Sequence, residues 1–282
     1  MQRIEVGLDK NQKPLSWKHK SVFSSMMSVF SPKVSEPADW EMALGASTLP
    51  YDFKSIEVQG SHLEMPVRRG WLRSVHNVFH AFSIGTVIDE LSRKAKKDPI
   101  DFSLAMLKKD QMVDKQDINR LRKVIETVRE KSQWKKRVAQ GKHLGFAHHY
   151  SFGSYLAFVV EVEKNEDEIP AIKEVHCVLD CGQYINENIV RAQMEGSIIF
   201  GMSIVNYGKI TLGENSIIEQ GNFDDYEVQR ISETPKMNIH LMDNVHAPQG
   251  VGEPGVPAFI PAYTNAVSRA LGKQIRSLPI KA

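Results

Sequence analysis

Cysteine is nearly absent from this chain. Cys177 and Cys181 are the only two in 282 residues, and both fall in one predicted strand and turn. With no second pair, neither a disulfide framework nor a structural zinc site is expected, and free, buried or half-buried thiols are the default. An excess of one charge is also missing: 36 basic residues face 34 acidic ones, for a net charge of +2. That balance argues against binding to nucleic acid or to a membrane surface driven by charge. The local basic stretches, Lys94, Lys96 and Lys97 and then Lys131, Lys135, Lys136 and Arg137, lie on or beside amphipathic helices and read as solvated faces. No apolar run approaches the roughly 20 residues that span a bilayer, and there is no internal repeat or low-complexity tract. Met1–Val6 lacks the layout of a signal peptide and reads as mid-strand, as if the chain began inside a domain. The compartment, cytoplasm or periplasm, is left open.

What is present suffices for a sizeable core, since 41% of the residues are hydrophobic. Ile4, Val6 and Leu8 alternate with polar residues, and Asn11–Pro14 turns the chain into Leu15, Trp17 and His19, a strand pair. Residues 21–60 read as irregular, with a surface loop around Met26, Met27, Pro32 and Pro37 and a short strand through Tyr51, Phe53, Ile56 and Val58. Ile84, Val87, Ile88 and Leu91 mark a helix supported by the pairs Asp89–Arg93 and Glu90–Lys94. Asp98-Pro99 starts a second helix on Ile100, Leu104 and Leu107, and Ile118, Leu121, Ile125 and Val128 mark a third. His143, His148 and His149 lack a second ligand cluster and read as satisfied polar histidines. Leu156–Val160 reads as a strand buried on both faces, joined through a hairpin connection at Lys164–Glu168 to Val175–Leu179. Asn186 caps a helix to about Phe200 that presents Ile189, Gln193, Gly196 and Phe200 on one face, with the small residues Ala192, Gly196 and Ser197 allowing close approach. Short strands are expected at Val205–Thr211, Ile217–Glu219 and Met237–Leu241, around a polar–aromatic loop at Asn222–Tyr226. The fold class is α+β, mixed sheets with packed helices. The division is residues 1–145, a strand pair, loop and three-helix layer, and residues 146–282, an α+β unit.

The most constrained stretch is Gly250-Val251-Gly252-Glu253-Pro254-Gly255-Val256-Pro257. A helical pattern follows through Phe259, Ile260, Tyr263, Val267 and Leu271, and Gly272 ends it. Glu253 therefore sits in a glycine-rich turn at a helix start, where backbone N–H groups and the helix dipole favour a carboxylate. A solvated, decorative Glu would satisfy the same pattern. The letters also spell G-x-G-x-x-G, but Pro254 removes a donor and no strand–acidic residue unit follows, so a dinucleotide fold is disfavoured. Gln193 is either a buried amide bonded to backbone or an amide that reads a heterocycle. Arg73, in the aromatic and cationic loop Pro66–Val75, is either a functional cation or a loop-fixing one paired with an acid or with Trp71.

Taken together, these words resemble the C-terminal half of the molybdopterin-binding large subunit of the molybdenum hydroxylases, the xanthine dehydrogenase and aldehyde oxidase family, most of all its isoquinoline 1-oxidoreductase beta type. The matching words are Gly70–Val75, Phe82–Leu91, Asp98-Pro99, Ser151–Tyr155, Asp180–Gly182, Arg191–Gly196, Asn222–Tyr226, Gly250–Gly255 and Gly272–Pro279, in collinear order over essentially the whole chain. The resemblance implies a molybdenum held by a pterin dithiolene, in the molybdopterin cytosine dinucleotide form, with no side-chain ligand from the protein. It implies that Glu253 is the catalytic general base beside the molybdenum. It also implies that Gln193 contacts the pterin, that Arg73 approaches the cofactor and substrate channel, and that Gly250, Val251 and Gly252 let the turn approach the cofactor. A carboxylate on a rigid turn, closed in by a large cofactor, is desolvated enough to act as a base near neutral pH.

The family's first half carries a Gly-Gln-Gly turn, a Gly/Ser/Thr-rich pterin loop and a Gly-rich Phe loop, all absent from this chain. Gly85 stands where a glutamate is usual, and His76 where glycine is common. Two expectations follow. One is half of a split large subunit, assembling with a chain that carries the N-terminal half and with a small [2Fe-2S] subunit, and hydroxylating a small N-heterocyclic aromatic or an aldehyde with water as the oxygen source. The other is a truncated, non-catalytic remnant or interaction module that keeps the fold without the cofactor.

Overall fold

A computed structural model describes residues 1–31, 33–109, 111–164 and 169–281. Two strands open the chain, β1 (Gln2–Leu8) and β2 (Pro14–Phe23), joined by the expected turn. A 3-10 turn at Met26–Val29 and the short helix α1 (Asp39–Ala43) follow, then β3 (Ser55–His62). β2 pairs antiparallel with β1 and parallel with β3, making a three-stranded sheet. The third strand was expected to begin at Tyr51, but Tyr51 makes only an isolated bridge to Leu107. Tyr51 and Phe53 are buried core residues instead. Residues 165–168, most of the expected hairpin connection, and Pro32 lie outside the described residues.

The helical layer comprises α2 (Asn77–Lys94) and α3 (Pro99–Met106), then the minimal strands β4 (Met112–Val113) and β5 (Gln116–Asp117), then α4 (Ile118–Lys131) and α5 (Trp134–Ala139). Asp98 caps α3 by accepting from the N–H groups of Ile100 and Asp101, and Asp117 caps α4 in the same way. The pair Asp89–Arg93 forms, with Arg93 Nε 3.1 Å from Asp89 Oδ2. Glu90 turns instead to Arg276 in the C-terminal tail, at 2.6 Å. α5 escapes the sequence reading because it is short and strongly basic, with only Trp134 buried.

The main sheet is formed by β6 (His143–Ser151), β7 (Ser154–Glu163), β8 (Ala171–Asp180) and β9 (Lys236–Leu241), with α6 (Glu187–Asn206) between β8 and β9 and α7 (Gly255–Leu271) after β9. Its order is β6-β7-β8-β9. The first three strands are antiparallel, and β8 and β9 are parallel, so α6 is the crossover between them. β7 is apolar on both sides because both are covered. Leu156, Phe158, Val160 and Val162 face α6 and α7, whereas Tyr155, Ala157 and Val159 face the helical layer. One face of the 146–282 sheet thus packs on residues from 17 to 134, and residue 145 lies inside β6.

α7 is the axis of the molecule, buried from Gly255 through Ser268. Two glycines admit it. A Cβ on Gly145 of β6 would lie 2.0 Å from the Ala262 carbonyl oxygen, and one on Gly85 of α2 would lie 2.6 Å from Pro261 Cβ. Gly85, where a glutamate is usual in the family, is therefore a packing requirement here. Residues 205 and 206 belong to α6, and the predicted strands at 205–211 and 217–219 reduce to a single bridge, Leu212–Ile218. Among the described residues, no helix is long and apolar enough to cross a membrane.

Candidate active site

The turn that carries Glu253 is built backwards from β8. Asp180 ends that strand, accepts two hydrogen bonds from Arg120 (2.9 and 2.7 Å) and takes the Gly182 N–H at 3.2 Å. Its carboxyl is held below the usual range: burial pushes it up, and the Arg120 bonds and the Gly182 N–H overcome that push. Gly182 lies at φ +74°, and a Cβ there would sit 2.2 Å from the Ala247 carbonyl oxygen, so the returning chain lies directly on it. Gln183 N–H donates to His246 O and Gln249 N–H to Cys181 O. The Asp-Cys-Gly word is thus an anchor for the approach to Gly250. Both thiols are buried, and burial pushes Cys177 and Cys181 up, away from reactivity.

Next, the β6–β7 hairpin receives the turn. Phe152 (φ 53°) and Gly153 (φ +80°) form its two-residue loop, the left-handed pairing that suits a tight hairpin. Gly250 N–H donates to Phe152 O at 3.0 Å, and Ser154 Oγ donates to Gly250 O at 2.6 Å. A Cβ on Gly250 would lie 2.9 Å from Phe152 Cβ, so this glycine answers to the hairpin. Val251 packs its side chain on the core. Gly255 lets α7 meet α6, since its Cβ would be 2.5 Å from Ser197 Cβ. Gly252 is different: a Cβ there would meet nothing within 4 Å.

Arg73, Gln193, Gly252 and Glu253 come together, although up to 180 residues separate them in sequence. Arg73 Nε donates to Gly252 O at 2.7 Å, and its Nη2 donates to Gln193 O at 3.2 Å and to Gln193 Oε1 at 3.0 Å. Ser74, which is buried, donates from Oγ to Glu253 O at 2.6 Å. Burial lowers the Arg73 guanidinium and the nearby Glu253 carboxylate acts the other way. Among the described residues, Arg73 neither forms a salt bridge nor stacks on Trp71, which stacks with Trp40 at 6.0 Å. Guanidinium is donor-only, so the Gln193 amide must turn its oxygen inward and its NH2 outward. Among the described residues, nothing bonds that NH2 and no side chain donates to the Glu253 carboxylate.

The face of α6 differs from the expected one. Val190, Met194, Ser197, Ile198 and Gly201 are buried, while Gly196 and Ala192 are exposed and Gln193 stands at the edge. The tight interface lies one position round the helix, because the packed stripe follows Gly201 against Phe259 rather than Gly196. Ser74, Ser154 and the Phe152-Gly153 loop were not singled out from sequence. Their one signal was that each lies in a word shared with the family, and a serine announces no role of its own.

His148 and His149, adjacent in β6, point to opposite faces of the sheet and both bond within the fold. His148 Nε2 lies 2.9 Å from Tyr51 Oη and 3.0 Å from Ser103 Oγ, and His149 Nε2 lies 2.8 Å from Asn77 Oδ1. A small cavity of about 40 Å³ lies beside them, with room for a few waters. It does not include Glu253, which stands on an open face. Among the described residues, no cluster of His, Cys, Asp or Glu could hold a metal ion.

A family model described as molybdopterin cofactor-binding domain matches residues 85–235, just over half of the chain; it includes Gln193 and stops short of Glu253. The beta chain of isoquinoline 1-oxidoreductase from Brevundimonas diminuta is 29% identical over 99% of this chain and 36% of its own length. A component of nicotinate dehydrogenase from Pseudomonas putida is 27% identical over 87% of this chain and 22% of its own. The chain thus spans about a third or less of these relatives. In fold it is similar to the aldehyde oxidoreductase from Desulfovibrio desulfuricans, with a TM-score of 0.77 and 13% identity, over 99% of this chain and 47% of that one. The CO dehydrogenase from Oligotropha carboxidovorans gives 0.73 at 10% identity, over 96% and 58%. On the match of more than half its length, this chain belongs to the molybdopterin cofactor-binding domain family, that of the xanthine dehydrogenase and aldehyde oxidase type of molybdenum hydroxylase.

Proposed function

We propose that this chain supplies one wall of a molybdopterin site in which Glu253 is the general base, in an oxidoreductase that hydroxylates an N-heterocycle or an aldehyde with oxygen from water. The observation that carries the reading is a carboxylate that no side chain among the described residues donates to, beside an amide whose NH2 is aimed outward and a glycine with open space where a side chain would be. Asp180, by contrast, is spent on Arg120. The residues fit a large, hydrogen-bonding group: Gln193 would donate to the pterin, and the bare Gly252 would admit it. When bound, the molybdenum centre supplies the acceptor for the two electrons that leave the substrate carbon. Glu253 takes a proton from the attacking water.

The chain's small share of its relatives' length supports a partner carrying the N-terminal half, and a small [2Fe-2S] subunit would take the electrons. The cytosine dinucleotide form of the cofactor belongs to the same proposal. Exposed Leu72, beside Arg73, and Ile189, one helical turn before Gln193, provide apolar surface next to the site for that partner to cover. The remnant reading draws on the open face at Glu253. Two measurements separate the readings. Co-expressed with a chain bearing the Gly-Gln-Gly word, this chain should purify with roughly stoichiometric molybdenum, whereas trace metal would support the remnant. In that complex, Glu253→Gln should keep the metal and lose turnover by roughly 10²- to 10⁴-fold, and undiminished turnover would refute the base assignment.

A further inference from the structure

Three of the turn's backbone carbonyls are captured by side chains from outside it. Ser154 Oγ holds Gly250 O at 2.6 Å, Arg73 Nε holds Gly252 O at 2.7 Å and Ser74 Oγ holds Glu253 O at 2.6 Å. Two of the three come from adjacent residues of the loop before α2. That loop takes an unusual shape to deliver them. Ser74 lies at φ 75° and Val75 at φ 50°, a left-handed pair that a β-branched residue rarely enters and that persists only where the surroundings enforce it. What enforces it is visible. Val75 N–H bonds Leu72 O, Asn77 N–H bonds Ser74 O, and buried His76 lies 3.5 Å from the buried Glu41 carboxylate. His76, standing where glycine is common in the family, thus ties the loop down.

We propose that Arg73 and Ser74 form a clasp that positions the Glu253 turn against Gln193 of α6, making both of them positioning residues for the reaction. The inference rests on the reading of Glu253 as the base. One guanidinium bridges the turn carbonyl and the amide oxygen, so the carboxylate-bearing turn and the outward amide are set by a single planar group. The turn needs such a device because its glycines leave it conformationally free. Arg73 thereby spends Nε and Nη2 within the chain, which gives it a positioning role beside the approach to the cofactor that the resemblance implies.

The test uses amide hydrogen exchange on the full chain, followed by kinetics on the assembled complex. Gly250 N–H and Val256 N–H bond to Phe152 O and Glu253 O and report the turn directly. Arg73→Met and Ser74→Ala should each speed exchange at these two amides by about tenfold or more, while the amides of Leu156–Val160 stay protected. Arg73→Lys, which keeps a donor but cannot bridge, should fall between. In the complex the same variants should lower kcat with KM unchanged, as expected for loss of aim at the reacting atoms. Wild-type protection at Gly250 and Val256 in both Arg73→Met and Ser74→Ala would overturn the clasp. Loss of protection everywhere, core amides included, would also overturn it and make the loop a general stability element. If the clasp variants loosen the turn yet Glu253→Gln turns over normally, the clasp stands and the base reading falls.

Discussion

The histidine seam and the Glu253 turn meet at the start of α2, where Asn77 bonds His149 and the Ser74 carbonyl while Ser74 Oγ holds Glu253 O, and each gathers several polar or titratable side chains. In the seam most of the groups bond one another, although His19 Nδ1 and Asn77 Nδ2 are buried with no partner among the described residues. Gln2 links His19 (2.7 Å) to Ser21 (2.8 Å), Ser21 meets His80 at 3.1 Å, and His80 Nδ1 meets Leu44 O at 3.0 Å, which as a pure acceptor makes Nδ1 the donor. His148 and His149 close on Tyr51, Ser103 and Asn77. The sheet β1–β3, α2 and β6 are stitched together there without exposed functionality. At the turn the backbone is equally well held, but among the described residues the carboxylate and the amide NH2 are left over. A candidate site is recognised by unspent groups that reach solvent, whereas the seam's unspent atoms, His19 Nδ1 and Asn77 Nδ2, are buried.

The largest expected effect breaks the seam and leaves the turn alone. Burial pushes His80 and His148 down to about 3, and His19 and His149 down to about 4. His80 also bears the repulsion of its histidine neighbours, partly offset by its bond to Leu44 O. In the unfolded chain these groups titrate near about 6.5. Below that pH the unfolded state takes up protons that the folded state refuses, so stability is full above about pH 7 and is lost as pH falls toward 3 to 4. Each histidine contributes a slope of up to about 1.4 kcal/mol per pH unit in that window. Urea unfolding of the full chain from pH 8 to 5 should show the midpoint falling steeply below about 6.5. His148→Gln should lower the proton uptake on unfolding at pH 5 by about one. A flat midpoint would mean that the histidines are not held neutral.

A second effect asks whether the closed side tolerates a carboxylate as the open side does. Gly85→Glu restores the acid usual at this position in the family. Its Cβ would press on Pro261 Cβ at 2.6 Å and lie 3.7 Å from Ala147 Cβ, with the carboxylate beside the buried Asp89. Overpacking combined with an added like charge should cost about 3 kcal/mol or more, read as a lowered denaturation midpoint. Stability near that of the parent chain would show that α2 and α7 separate easily, and would undercut the account of α7 as a rigid axis for the turn.

Much of this organisation was legible beforehand, for particular reasons. β7 announced itself because Leu156–Val160 is apolar at every position, which only a doubly covered strand explains. α7 and its Gly272 cap were legible because the apolar period and the left-handed cap residue coincide, and Gly272 does lie at φ 64°. The choice of Glu253, Gln193 and Arg73 drew on a resemblance, and their meeting in space could not be read from residues up to 180 positions apart. Ser74 and Ser154 stayed hidden because a hydroxyl that captures a carbonyl leaves no periodic mark. The true packed stripe of α6 was missed because Gly196 and Gly201 look alike in sequence. Only Gly201 faces Phe259, where its Cβ would be 2.5 Å from the ring.

The smallest expected effect probes the open side alone. Gly252 is exposed, its φ lies outside the left-handed range, and a Cβ there meets nothing within 4 Å. Gly252→Ala should therefore change the stability of the full chain by less than about 0.5 kcal/mol. The matching control is Gly250→Ala, two residues earlier in the turn, where the new methyl would lie 2.9 Å from Phe152 Cβ and 3.0 Å from Phe152 O, and a clear loss of about 1 to 3 kcal/mol is expected. If the bare face at Gly252 serves a large ligand, the same silent substitution should lower molybdenum retention in the assembled complex, because a methyl would occupy space the chain itself leaves empty. Equal destabilisation by the two alanines would erase the distinction between a glycine required by the hairpin and one required by what approaches from outside.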